Sequence, residues 1–124
     1  MAAVFVMNVA CALEFILRPG LYVGGFELSG EAGRVFVQSF GILFLMWNAA
    51  YPPVIWRPEK QRTLFAIILI QQWIGVVGES WLYFSMDASH AALRTTGLRF
   101  MIFDGIGLIL MGVAFLILFH RRNP

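Results

Sequence analysis

Apolar residues run along this chain in four long blocks, separated by short polar or proline-rich breaks. A helix that crosses a bilayer needs about 20 mainly apolar residues. The pattern predicts spans at residues 2–17, 34–51, 63–84 and 98–119, the first of them short. Pro19-Gly20 ends the first span, and Pro52-Pro53 with Pro58 ends the second. Gly97 precedes the fourth. The predicted fold is an all-α integral membrane protein of one domain, its four transmembrane helices forming two hairpins in an antiparallel bundle.

Composition agrees with that pattern. The 124 residues are 60% hydrophobic and 13% charged, against about 45–50% and about 25% in soluble domains. The mean hydropathy is +0.77. A water-soluble fold of this size could not bury so much apolar surface, so lipid is the expected solvent. A formal charge of +2, with its basic residues scattered, is too modest to imply nucleic acid, and no nucleic-acid partner is expected. Cys11 is the one cysteine. One thiol makes no internal disulfide and no Cys-ligated metal site, so it reads as a small apolar helix residue.

Four spans place both termini on one side, together with the loop from Pro52 to Arg62. That side carries five basic residues, Arg57, Lys60, Arg62, Arg121 and Arg122, against four on the other, Arg18, Arg34, Arg94 and Arg99. The margin favours cytoplasmic termini in a bacterial cytoplasmic membrane. Trp47, Tyr51 and Trp56 are expected at one water interface, and Trp81 and Tyr83 at the other. The stretch RPGLYVGGFELSGEAG, residues 18–33, is apolar for a linker. It is expected to press onto the membrane surface or the helix ends. Residues 85–97 are expected to hold a short helix capped by Asp87 or Ser89.

The charges inside the spans repeat. Glu14 precedes Arg34 by 20 residues, Glu79 precedes Arg99 by 20, and the two pairs are offset by 65. This predicts two similar hairpins related by a pseudo-twofold axis along the membrane normal. Asp104 lies one turn and a residue below Arg99 on nearly the same helix face. An unpaired charge in lipid is costly, and arginine meets a carboxylate with two parallel hydrogen bonds. Glu14, Arg34, Glu79, Arg99 and Asp104 are therefore expected as a structural intramembrane ion-pair cluster.

Other chemistry finds no support in the residues. A proton route needs relay groups in the opposite leaflet, where Gln71 and Gln72 stand without an acid or histidine. His90 and His120 fall on opposite sides of the membrane and cannot clamp one haem. Ser80 has no nearby histidine to activate it. Asp87 and His90, at i and i+3, are a weak metal signal. Gly75, Gly78, Gly105, Gly107 and Gly112 read as close-packing positions, Gly105 and Gly112 on one face. No catalytic residue, metal ligand or cofactor is expected.

The layout resembles the small four-span bacterial membrane proteins of the DoxX-like group. The residues that carry the likeness are Pro19-Gly20-Leu21-Tyr22, Leu28-Ser29-Gly30, and Gly33-Arg34 leading into a glycine-containing second span. The likeness covers most of the chain by plan. Some members of that group are partners of oxidoreductases, and the likeness transfers no catalytic residue. In size and span number the chain is also similar to accessory subunits of bacterial electron-transfer complexes, such as alternative complex III. The expected function is that of a non-enzymatic accessory subunit. It would pack against larger integral membrane subunits of a respiratory or photosynthetic complex, and against membrane lipids. The alternative is a stand-alone small transporter, or a quinone- or lipid-binding protein, built on Glu79, Arg99 and Asp104.

Overall fold

The computed structural model describes residues 1–120. The basic pair Arg121-Arg122, part of the orientation argument, lies outside the described residues. Five α-helices follow one another: α1 (Ala2–Leu17), α2 (Gly30–Asn48), α3 (Tyr51–Trp56), α4 (Arg62–Ser85) and α5 (Ala91–His120). Short 3-10 turns occupy Pro19–Leu21, Val23–Phe26 and Pro58–Lys60. Among the described residues there are no strands. Three segments are long and apolar enough to cross a membrane: Gly30–Trp56, Arg62–Ser85 and Ala91–His120. Helix α1 has 16 residues, about 24 Å at 1.5 Å per residue, shorter than a hydrocarbon core of about 30 Å.

Helices α1 and α2 pack antiparallel. The Asn8 side-chain amide donates to Asn48 Oδ1 at 3.2 Å, and Gln38 donates to the Ile16 carbonyl at 3.1 Å, so the numbering runs in opposite directions along the contact. Gly41 lets them approach: a Cβ there would lie 2.7 Å from the Ala12 carbonyl oxygen. Helices α4 and α5 pair in the same sense, with Phe65 edge-on to Phe115 at one end and the Arg94 guanidinium 4.6 Å above the Tyr83 ring at the other. Val4, Tyr51, Val54, Phe65, Ile68 and Met111 form a core drawn from α1, α3, α4 and α5.

Three boundaries depart from the expected ones. The second helix starts at Gly30, where a φ of +66° turns the chain. It stops at Asn48, and a new short helix starts at Tyr51 with prolines in its first turn. Proline is tolerated there because those N–H groups have no intrahelical partner. Helix α5 begins at Ala91, so the short helix expected in 85–97 is its first turns and Gly97 lies inside it. Tyr51 is packed inside the protein: it is 1% exposed, with its hydroxyl 3.4 Å from Gln72 Oε1. The α3 turn carries its ring back into the core, against Phe5.

The Gly41 contact gives a direct test. Gly41→Val should lower stability in SDS titration by about 2 kcal/mol, because a backbone carbonyl cannot move aside cheaply. Gly112→Ala, with open space at its Cβ position, should change it by less than about 0.5 kcal/mol.

Candidate binding site

The linker between α1 and α2 is folded against the helix ends. Pro19 is buried. Phe26 stacks on Phe100 and meets Phe15, Phe36 and Phe40 edge-on. The linker is fastened to α5 by polar contacts. Thr96 Oγ1 donates to the Gly25 carbonyl at 2.7 Å. Glu27, at a left-handed φ of 54°, accepts from Leu93 N–H at 3.2 Å and lies 2.6 Å from His90 Nδ1. Leu93 is the third residue of α5, so this carboxylate satisfies one of the unpaired N–H groups of that helix start.

Beneath the linker is a cavity of about 440 Å³ between α1, the linker and the first half of α5. Phe15, Tyr22, Phe26, Phe44, Phe100 and Phe103 supply most of its wall. Asn8, Cys11, Thr96, Arg99 and Asp104 supply the polar atoms. The volume and the mixture of aromatic wall with few polar groups suit a small-molecule site. Counting 21 residues from Arg99 to His120 gives about 31 Å, one hydrocarbon thickness. Such a span from His120 would bring Arg99 to the opposite end of an untilted crossing, with Asp104 about 7.5 Å nearer its middle.

A second, much smaller cavity of about 20 Å³ adjoins Asp104, lined by Asn8, Asn48, Tyr51 and Gln72 among others. It has room for one water molecule. Gln72, 4% exposed, accepts from Tyr51 and donates to the Asp104 main-chain carbonyl at 3.1 Å. Asn48, equally buried, also donates to the Phe44 carbonyl at 2.8 Å.

The expected five-residue ion-pair cluster does not form as such. Glu14 pairs with Arg18 at 3.8 Å and accepts from Tyr22. Arg34 pairs with Glu31 at 3.1 Å. Both partners lie within one helical turn, where a contact fixes fewer freedoms than one across helices. Among the described residues, no two of the five are within ion-pair distance of each other. Arg99 and Asp104 both line the larger cavity. Glu79 sits beside the Asp104 carboxyl, and its Oε2 is buried without a hydrogen-bond partner among the described residues. Asp104 Oδ2 lies next to Gly75, 3.5 Å from where a Cβ would sit, an ordinary van der Waals distance.

No protein family, curated protein or solved structure matches the chain. The DoxX-like layout is thus a likeness of plan alone.

Sequence reasoning missed Tyr22, Phe26, Phe100 and Cys11 as a shared wall. The apolar linker was the available signal, since its rings needed something to cover. Nothing along the chain pointed to Glu27, whose partners are 63 and 66 residues away. Ser80 Oγ bonds back to the Val76 carbonyl at 2.6 Å. Asp87 Oδ1 accepts from the Ser89 N–H at 2.8 Å, a turn that precedes α5.

The Gln72 bridge predicts a clear loss on removal. Gln72→Leu strips the buried Tyr51 hydroxyl and the Asp104 carbonyl of their partner, and should cost about 1–2 kcal/mol in SDS titration. An unchanged midpoint would show that the bridge contributes nothing.

Proposed function

We propose that this protein is a membrane-embedded binding protein for an amphipathic small molecule of the quinone or lipid class, held in the cavity under the linker. The observation that carries this reading is the cavity itself. A half-open recess of about 440 Å³ with a mostly aromatic wall and a few polar groups has the size and lining of a small-molecule pocket. An apolar body fits the ring-lined part. A head with hydrogen-bond-accepting oxygens fits Arg99, which has no carboxylate within ion-pair distance among the described residues. Ionisable groups at membrane depth mark functional sites by default. No reaction is assigned; binding alone accounts for the groups present.

A second reading has its own observation. On α5, Ile102, Ile109 and Leu116 are exposed, and Gly105 and Gly112 have open space at their Cβ positions. These five alternate at spacings of three and four, the register of a helix–helix seam. Small residues in such a seam let a second transmembrane helix approach closely. This supports an accessory subunit that docks α5 against a larger integral membrane subunit. A four-crossing arrangement, with a tilted or locally thinned bilayer accommodating α1 and termini on the cytoplasmic side, is part of the same proposal.

Titration with a short-tailed benzoquinone, read by tryptophan quenching, and with lysophosphatidylglycerol tests the first reading. At least one should bind saturably. Arg99→Gln should weaken that binding by about tenfold, the scale of a charge-assisted hydrogen bond, and Cys11→Phe should abolish it by filling the cavity. Binding of neither probe, or binding untouched by both substitutions, contradicts the proposal. For the second reading, Gly105→Leu should strip a stoichiometric partner from the mildly solubilised protein. A wild-type chain that purifies alone contradicts it.

A further inference from the structure

The cavity has one wall that is not a helix, and that wall is fastened at a few identifiable points. Leu21, Tyr22, Gly25 and Phe26 of the linker face the cavity. No contact in the linker's own sequence neighbourhood accounts for its closure onto α5. The closure is made by the Phe26 ring stacked on Phe100, by the Thr96 hydroxyl on the Gly25 carbonyl, and by Glu27, the charged part of the fastening, which reaches both His90 and the Leu93 N–H. Glu27 holds a backbone conformation that non-glycine residues rarely adopt, so the fold keeps a strained residue where its carboxylate meets the start of α5.

We infer that the linker is a latched gate on the cavity, closed by the Glu27–His90–Leu93 contacts and opened to the water side when they release. The inference rests on the reading of the cavity as a binding site and assigns its regulation. An untilted crossing that ends at Arg99 would place the latch beyond it, because His90 is nine residues further out. The latch would then meet the aqueous phase, while Arg99 and the aromatic wall lie behind it.

The latch depends on charge. The hydrogen bond from His90, with help from the Leu93 N–H, holds the Glu27 carboxyl below its usual range. The bond to Glu27 and its negative charge hold the His90 imidazole above its usual range, with Asp87 adding to the effect. Asp87 itself is held low by Ser89 and faces His90 and Arg94. A group whose pKa is raised on pairing loses that stabilisation as pH climbs through the raised value; a group whose pKa is depressed loses it as pH falls through the depressed value. The latch is thus strongest in the mildly acidic window between the two, and weakens on the alkaline side as His90 loses its proton.

Cys11 lines the cavity and is the chain's one cysteine, so it reports access without any ligand. The experiment is the rate of Cys11 labelling by a water-soluble maleimide, with the full chain in lipid nanodiscs. Each variant is compared with wild type at the same pH, which cancels the pH dependence of the thiol. At about pH 6, where the histidine is charged, His90→Gln should label about threefold faster than wild type, the scale of an exposed ion pair. Glu27→Gly, which relaxes the left-handed backbone and removes both carboxylate contacts, should label about tenfold faster. By about pH 9 the His90→Gln ratio should fall to about one. Far-UV dichroism at the wild-type level separates gate opening from unfolding. His90 is exposed, so His90→Gln carries the test alone if Glu27→Gly does not fold. A His90→Gln ratio of one at pH 6, or one that stays constant with pH, overturns the latch. The readout uses no ligand: the latch can fail while quinone or lysolipid still binds, and binding can fail while the latch stands.

Discussion

The fold depends on a few hydrogen bonds between polar groups on otherwise apolar helix faces. Gln72 makes two of them. It lies ten residues into α4, about 15 Å from Arg62, and links the Tyr51 hydroxyl of α3 to the Asp104 carbonyl of α5. Asn8 and Asn48 do the same between α1 and α2. Apolar packing between helices gains little in lipid, because the solvent is itself apolar. These few directional bonds, with the close approach at Gly41, specify which helix faces meet.

Once those faces are joined, the remaining geometry follows. The polar bridges sit deep, and the outer halves of α1 and α5 are separated by the aromatic-lined space under the linker. The linker covers that space by stacking Phe26 on Phe100 and by lending Glu27 to the start of α5. Arg99 at the rim and Asp104 at the floor turn an apolar gap into one with an oriented polar edge. A molecule with a small polar head and an apolar body matches both ends of that arrangement.

Much of the helix plan was legible in the sequence, because apolar run length and proline placement are local. The extents of α1 and α4 match the hydropathy pattern to within a residue or two. The start of α5 was not legible, since its first turn is supported by Glu27 from 66 residues away. The burial of Tyr51 was not legible for a similar reason: its sequence neighbours are interfacial in type, and only the α3 turn sends it inward. Arg99 and Asp104, expected as members of an ion-pair cluster, line one cavity without pairing. The charge repeat misjudged Glu14 and Arg34, where partners one turn away were closer than any across the bundle.

The most direct measurement of the central claim is a crystal structure of the protein grown from a lipidic phase. The account predicts elongated density in the space bounded by Phe15, Phe26, Phe100 and Phe103, with its polar end within hydrogen-bonding distance of Arg99. A structure in which Phe26 and Phe100 collapse inward and leave no room for a bound molecule would contradict it.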